Sequence, residues 1–233
     1  GRLAALHRSR SSTRIVAITG STGKTTTKEM VGGILALVGP TLVAEGTQNN
    51  EVGVPLTLLR LAAEHRFGVL ELAMRAPGEI DYLARMVAPD VGVITNIGQS
   101  HVGRLGTREA IAQVKAELLG HIRGEGPAVL NADDFFFGVL AAMARGPVVS
   151  FGLSPQAQFR AEEIVEEGLK GVRFRLVTPI GERDVRLSVP GRHNVLNALA
   201  AAAAAAQLGV NIDNIAAGLA AHRGATMRMQ RLP

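Results

Sequence analysis

The sequence predicts an α/β fold in which helices cover both faces of a mostly parallel β-sheet. Hydrophobic residues make up 47% of the 233 residues and aromatic residues only 3%, so the core must be built from Ala, Val, Leu and Ile. Short apolar runs alternate with segments of helical periodicity as far as Phe151. Beyond that point, three strand-like runs with short turns predict a small antiparallel β-meander at about 159–189.

The first predicted strand and helix flank a glycine-rich loop. Arg14–Thr19 is a β-branched apolar run, which is typical of a buried parallel strand. Thr25–Val38 carries apolar residues at helical spacing and is stopped by Gly39 and Pro40. The loop between them therefore lies at the carboxyl end of a strand, where ligands gather in parallel sheets.

The remaining elements follow in the same way. Further strands are predicted at Phe67–Leu72, Val91–Thr95, Ala128–Leu130 and Val148–Phe151, and helices at Gly78–Val87 and Thr107–Ile122. The meander strands are predicted at Phe159–Glu166, Gly171–Thr178 and Arg183–Val189. An alanine-rich run, Asn194–Leu208, predicts a tightly packed helix with Asn194 as its N-cap and Gly209 just beyond its C-terminus.

Composition excludes some classes of site. The chain has no cysteine, so any metal must be bound by oxygen or imidazole ligands. The net charge of +5 raises nucleic acid as a partner. However, the arginines are scattered and no basic stripe carries stacking aromatics, so an anionic small substrate accounts for the charge and no nucleic acid is expected. No segment approaches the ~20 apolar residues of a membrane span, and we expect a cytoplasmic protein.

The loop Gly20–Thr25 predicts a phosphate-binding site, or P-loop. Its backbone N–H groups and the dipole of the following helix would face one point. Lys24 would reach the β- and γ-phosphates of a nucleoside triphosphate such as ATP, and the Thr25 hydroxyl would bind Mg²⁺. The strict pattern has glycine where this chain has Ile18, so a glycine turn with a solvated lysine is the alternative.

Three other side chains are predicted at the same edge of the sheet. Glu71 follows the run 67–70 and is a candidate metal ligand, since P-loop sites need a second acidic group. His101 follows the predicted strand 91–95, and Lys115 lies on the next helix. The alternatives are a solvent-facing Glu71, a surface His101 and a solvated helix Lys115, and composition alone favours the latter two when each residue is taken by itself.

Three stretches carry a family resemblance: Thr19–Lys28 (TGSTGKTTTK), Asn49–Thr57 (NNEVGVPLT) and Gly191–Leu199 (GRHNVLNAL). Together they resemble the Mur ligases, the ATP-dependent amide-bond ligases of peptidoglycan synthesis. The family itself uses the shortened glycine loop, which accounts for Ile18. The resemblance spans roughly Leu3–Leu232 and implies that 1–233 is a single central ATP-binding domain, with 1–13 as a lead-in helix and 159–189 as a β subdomain.

The same resemblance implies that two family domains are absent from the chain. These are an N-terminal domain for the uridine nucleotide and a C-terminal domain that closes over ATP and brings in the amine. Accordingly, we expect the isolated domain to bind ATP weakly and to ligate nothing detectable.

The resemblance also implies roles for individual residues. Lys24 would act on the phosphates, Thr25 and Glu71 would bind one Mg²⁺, and His101 would bind a second. Lys115 matches the family lysine that CO₂ carbamoylates, which gives a carboxylate able to support the second Mg²⁺. The implied ATP contacts are Gly20, Ser21, Thr22, Gly23, Lys24, Thr25, Thr26, Asn96, His193, Asn194 and Asn197, and the implied contacts to the muramoyl peptide are Thr47, Asn49 and Asn50. Ala73 and Gly103 depart from the common family pattern.

Within the family, Asn49–Pro55 and the stretch Gly78-Glu79-Ile80 look most like the members that add D-alanyl-D-alanine to a UDP-muramoyl peptide. ATP would convert the peptide carboxylate to an acyl phosphate, which the amine would attack. The alternatives are a Mur-type ligase with a different amino acid, a folate-type glutamate ligase, a non-catalytic nucleotide-binding module and a general P-loop ATPase or kinase. Lys115 with His101 favours a ligase, because a simple binder or kinase does not need them.

Overall fold

The computed structural model describes residues 1–99 and 102–224. In this part of the chain one nine-stranded sheet has the order β2-β3-β1-β4-β5-β6-β7-β8-β9. Strands β1 to β7 run parallel, and β8 and β9 complete an antiparallel edge. The strands are β1 Arg14–Thr19, β2 Thr41–Val43, β3 Phe67–Glu71, β4 Val91–Ile94, β5 Ala128–Asn131, β6 Val148–Gly152, β7 Phe159–Glu166, β8 Val172–Thr178 and β9 Gly181–Leu187.

Helices cover both faces of this sheet, which confirms the predicted fold class. They are α1 Arg2–Ser9, α2 Lys24–Ala36, α3 Gly53–Leu59, α4 Glu79–Val87, α5 Val102–Leu105, α6 Arg108–Ala116, α7 Phe137–Met143, α8 Arg192–Gln207 and α9 Ile212–Ala221. Val16 and Ile18 of β1 pack toward α2, α8 and α9, whereas Ile15 and Ala17 pack toward α1, α3, α4, α6 and α7. The alternation of side chains along one buried strand thus builds two cores. None of the described helices is long and apolar enough to cross a bilayer.

The predicted meander is present, and it continues the main sheet. β7 pairs in parallel with β6, with Phe151 opposite Phe159 and Gly152 opposite Arg160. β8 then pairs antiparallel with β7, and β9 with β8. The last strand begins at Gly181 rather than at the predicted Arg183, because it pairs from the first residue after the turn.

The ends of two helices differ from the sequence prediction. The predicted helix Thr107–Ile122 ends as an α-helix at Ala116 and continues as a 3₁₀-helix, Glu117–His121. Asn194 as N-cap of α8 was wrong: the helix begins two residues earlier, and the Asn194 Nδ2 donates to the Pro190 carbonyl at 2.8 Å. Gly209 is confirmed at the C-terminal end, with φ of 82° and its N–H bonded to the Ala206 carbonyl at 2.9 Å.

Helix α1 is anchored by a buried arginine. Arg8 is 2% exposed, and its guanidinium donates to the carbonyls of Val87 at 2.8 Å and Ala88 at 2.9 Å. It also forms an ion pair of 3.1 Å with Asp90. The Asp90 carboxylate in turn accepts from the Ile15 N–H at 2.7 Å, so α1, the end of α4 and the start of β1 share one polar cluster.

Candidate active site

The glycine-rich loop has the shape that its two glycines impose. Gly20 and Gly23 have φ of 149° and 81°. A Cβ at Gly20 would come within 1.8 Å of the Thr95 hydroxyl, and one at Gly23 within 2.2 Å of the Asn197 amide oxygen. Both positions therefore need glycine for conformation and for space.

Asn96, just beyond β4, holds this loop from the side. Its backbone carbonyl accepts from the Ser21 N–H at 3.0 Å. Its side chain clamps the Thr22 backbone, since Oδ1 accepts from the Thr22 N–H and Nδ2 donates to the Thr22 carbonyl, each at 3.1 Å. Thr95 adds a hydroxyl bond of 2.6 Å to the same carbonyl. The loop is thus organised by side chains of the neighbouring strand.

Lys24 begins α2 and lies over the loop. Its Nζ donates to the Gly20 carbonyl at 2.8 Å and to the Ser21 carbonyl at 3.4 Å. Thr25 follows on the first helical turn and is buried, and Thr26 lines the adjoining cavity. A cation at a helix N-terminus beside the N–H groups of a glycine loop is an arrangement that favours phosphate.

Glu71 ends β3 beside this loop, opposite Ile18 in the parallel register. It is 1% exposed, so the prediction's alternative of a solvent-facing glutamate is wrong. One carboxylate oxygen accepts from the Asn49 side-chain amide, whereas Oε2 is buried and has no hydrogen-bond partner among the described residues. A buried carboxylate oxygen without a donor is costly, and a hard cation would satisfy it.

The protein oxygens here fit Mg²⁺, which typically takes one or two carboxylates and completes its shell with phosphate and water. Glu71 of β3 and Thr25 of α2 could supply such oxygen ligands. Over residues 1–99 and 102–224, no group of three or more acidic or histidine side chains is arranged to bind a metal on its own. His101 lies outside the described residues.

Lys115 is buried on α6, at 2% exposure, so it is not a solvated helix lysine. Burial lowers its pKa to about 7, and the positive charge of Lys24 contributes to the lowering. A substantial fraction of this side chain is therefore a neutral amine at neutral pH. An uncharged lysine amine is nucleophilic, whereas an ammonium is not.

A cavity of about 720 Å³ opens beside the loop, a size typical of small-ligand sites. Of the predicted ATP contacts, it is lined by Thr22, Gly23, Thr26, Asn96, His193, Asn194 and Asn197. Sequence reasoning missed Asn131, Phe151 and His222, which also line it. The His222 Nε2 is buried without a hydrogen-bond partner in the described residues, and burial lowers the pKa of its imidazole.

Asn197 of α8 lies against the phosphate loop and the first turn of α2. Its Oδ1 lies 3.5 Å from the Thr27 hydroxyl, and its Nδ2 donates to the Asn194 Oδ1 at 3.2 Å. Its contact with Gly23 therefore places the start of α8 directly against the phosphate loop.

A second cavity, of about 680 Å³, lies between the residues that precede α3 and those that follow β3 and begin α4. Asn49 and Asn50 line it, together with Arg75, Glu79 and Tyr82. Thr47, predicted with these asparagines, is exposed and does not line the cavity. The Asn50 side chain accepts from the N–H groups of Val52 at 3.1 Å and Gly53 at 2.9 Å, so it bonds the backbone at the start of α3.

Residues 18–205 match the sequence profile of the Mur ligase middle domain. The chain belongs to the Mur ligase family. The matched segment runs from the end of β1 to the last turns of α8, so it includes the phosphate loop, Glu71, Lys115 and the helix start at 193–197.

Relatives of this Mur ligase domain carry a more specific name. The chain is 39% identical over 224 residues to the UDP-N-acetylmuramoyl-tripeptide–D-alanyl-D-alanine ligase of Escherichia coli (strain K12), covering 94% of this chain and 49% of that protein. A crystal structure of MurF from Acinetobacter baumannii is 40% identical with a TM-score of 0.95, covering 100% of this chain and 51% of the other. MurF from Thermotoga maritima in complex with ADP is 27% identical with a TM-score of 0.88, covering 98% and 53%.

The Mur ligase domain thus spans about half the length of these relatives. The nine-stranded arrangement described above is shared over nearly the whole chain with the two solved structures.

Proposed function

We propose that this domain binds ATP and activates a carboxylate in an ATP-dependent ligase that joins a UDP-muramoyl tripeptide to D-alanyl-D-alanine. The observation that carries the proposal is a phosphate loop beside a buried carboxylate, one oxygen of which has no hydrogen-bond partner in the described part of the chain, together with a buried lysine near Lys24 whose pKa is about 7. The relatives that share this domain are named for that reaction.

A carboxylate is a poor acyl donor because its leaving group would be oxide. In the proposed reaction, a carboxylate oxygen of the muramoyl peptide attacks the γ-phosphorus of ATP, forming acyl phosphate and releasing ADP. The amine of D-alanyl-D-alanine then adds to the acyl carbon, loses a proton and expels inorganic phosphate. No side-chain nucleophile is required, so the protein acts by positioning groups and by electrostatics.

The phosphate loop, the metal ligands and the larger cavity have different roles in this reaction. The loop amides and Lys24 bind the triphosphate. Because Asn96 already orders the loop, little conformational entropy is lost on binding. Mg²⁺, held by Thr25 and Glu71, would neutralise charge on the transferring phosphoryl group. The larger cavity would take the nucleoside between His193, Asn194 and Phe151.

We propose that Lys115 is carbamoylated. Its neutral amine adds to the carbon of CO₂ and loses a proton, which converts an uncharged amine into an anionic carbamate near the positive charge of Lys24. With His101, this carboxylate would support a second Mg²⁺, as the family resemblance implies.

The second cavity is the proposed location of the muramoyl peptide, with Asn49 and Asn50 on its wall. Since the chain spans about half of its relatives, we propose that it acts as one central domain and that the uridine and amine sites lie on other domains of the full-length ligase.

The test is a substrate panel with the full-length enzyme. Amide formation from the UDP-muramoyl tripeptide, ATP and D-alanyl-D-alanine is expected, with one phosphate released per bond. Product is measured by mass spectrometry, and phosphate by a coupled assay. Turnover with L-lysine or diaminopimelate but not with the dipeptide would assign a different Mur-type ligase, and ATP hydrolysis without any amide product would contradict ligation.

A further inference from the structure

Lys28 is a buried cation that has no role in the proposed ligase reaction. It lies on α2, three residues after Thr25, and is 1% exposed. Its Nζ donates to the backbone carbonyl of Gly46 at 2.7 Å. Burial lowers the pKa of Lys28, and the negative charges of Glu71 and Glu29 oppose that lowering.

Gly46 belongs to the segment 44–50, which connects β2 to the wall of the second cavity. The Ala44 N–H donates to the Val69 carbonyl, and the Ala73 N–H donates to the Asn49 carbonyl, each at 2.9 Å. Both ends of the segment are thus attached to β3 and the residues after it. Between these ends, the carbonyl of Gly46 is held by Lys28 of α2.

Segment 44–50 therefore contacts both Glu71 and the helix that follows the phosphate loop. Its Asn49 amide donates to one oxygen of Glu71 and lines the second cavity. Its Gly46 carbonyl is bound by a helix that begins with Lys24 and Thr25. Lys28 attracts the Glu71 carboxylate, yet the two form no ion pair within 4.0 Å, so the second Glu71 oxygen keeps its unpartnered state in the described residues.

A buried ammonium is an expensive way to stabilise a helix. Taking an ammonium out of water costs several kcal/mol, and one hydrogen bond to a carbonyl offsets only part of that cost. A cation placed here instead fixes one carbonyl of a loop relative to one helix, which is a specific geometric function. The energetic cost and the position together favour a role in the site over a role in stability.

We propose that Lys28 is a positioning residue: it binds the Gly46 carbonyl and thereby holds segment 44–50, with Asn49 and Asn50, in register with the phosphate loop. This inference rests on the proposed ligase function for its kinetic consequence. The acyl substrate, rather than ATP, is the ligand whose binding depends on this contact, because Asn49 and Asn50 line the second cavity.

The first test needs no ligation. Hydrogen exchange is compared for the wild-type chain and Lys28→Met, with Lys170→Met as a matched control on an exposed lysine. We expect peptides that cover 44–50 to exchange about ten-fold faster in Lys28→Met, as expected for losing one charged hydrogen bond to a loop. Peptides within β7–β9 should be unchanged, and Lys170→Met should match the wild type throughout.

The second test is kinetic and uses the full-length ligase. Lys28→Met should raise the KM for the UDP-muramoyl tripeptide about ten-fold, with the KM for ATP within about two-fold of the wild type. Lys28→Arg, which retains a charged donor, should restore most of the lost affinity. If Lys28→Met does not fold, Lys28→Gln replaces it; its polar head is one bond too short for Gly46, and the same KM change is expected.

The outcomes separate the two proposals. Unchanged exchange at 44–50 in a folded Lys28 variant would overturn the positioning role, whatever the enzyme catalyses. A fall in kcat and in thermal stability, with the KM for the tripeptide and the KM for ATP changed by the same factor, would also overturn it, because that is the result for a purely structural lysine. A wild-type enzyme that forms no amide would overturn the proposed function, while the exchange result would still decide the role of Lys28.

Discussion

Removing the Asn96 side chain should weaken phosphate binding by disordering the glycine loop. The side chain makes two hydrogen bonds to the backbone of Thr22, each of 3.1 Å, and Asn96→Ala removes both. The bond between the Asn96 carbonyl and the Ser21 N–H does not depend on the side chain and should remain. The perturbation is therefore confined to one residue of the loop.

The expected magnitude follows from these two bonds. Both are near solvent, where each hydrogen bond contributes roughly 0.5–1 kcal/mol. Together they account for roughly 1–2 kcal/mol of loop order, which a ligand must restore when it binds. At 1.4 kcal/mol per factor of ten, the dissociation constant should rise about 5- to 30-fold.

Calorimetric titration with two ligands, Mg·ATP and Mg·tripolyphosphate, measures this effect. Tripolyphosphate lacks the nucleoside, so both ligands should lose the same factor if Asn96 acts through the loop. Asn214→Ala, on α9, is the control and should bind both ligands as the wild type does. A loss for ATP alone would show that Asn96 acts on the nucleoside, and no loss for either ligand would refute the loop argument.

Two predictions concern stability. Lys115→Met should stabilise the fold in CO₂-free buffer, because lowering the pKa from 10.5 to about 7 costs the wild type up to roughly 5 kcal/mol. The gain should be constant below pH 7 and shrink as pH rises toward 10.5, since the unfolded chain then binds more protons than the folded one; a gain that grows with pH in urea titrations would contradict this sign. Arg8→Met should destabilise by about 3 kcal/mol, because it leaves Asp90 without its cation and the carbonyls of Val87 and Ala88 without the guanidinium donor; a loss below about 1 kcal/mol in urea would show that water replaces these contacts.

The strands of the sheet centre could be predicted because they are buried on both faces and appear as continuous apolar runs. The elements that the sequence did not reveal are short or at an edge. β2 has three residues, Thr41–Val43, which is too few for a periodic pattern. α3 and α7 have seven residues each, and α9 was missed although the Asn211 side chain caps it by accepting from the Asn214 N–H at 2.9 Å.

The same distinction applies to the site: residues whose role depends on local sequence could be predicted, and residues whose role depends on tertiary packing could not. The phosphate loop was predictable, because its chemistry lies in consecutive residues. The burial of Lys115 was not, since it depends on how α6 packs against the rest of the domain. Asn131 and Phe151 lie at or near the ends of β5 and β6, so their position at the carboxyl edge was an available signal that was not used. The roles of the individual site residues and a cytoplasmic location remain predictions.

The strand order explains why the phosphate loop and the segments that line the second cavity lie at one edge of the sheet. β3 and β4 flank β1, so the segments that follow these three strands meet at one edge. β4 supplies Asn96 to the loop after β1, and β3 supplies Glu71, whose carboxylate accepts from Asn49 on the segment that lines the second cavity. Phosphoryl transfer to a carboxylate requires the terminal phosphate and the acyl group to approach within bonding distance. Glu71 lies opposite Ile18 of β1, the strand that leads into the phosphate loop, and its carboxylate accepts from Asn49, which lines the second cavity. A cation bound to Glu71 would therefore lie near both reacting groups, and β3 provides this position because it is the neighbour of β1.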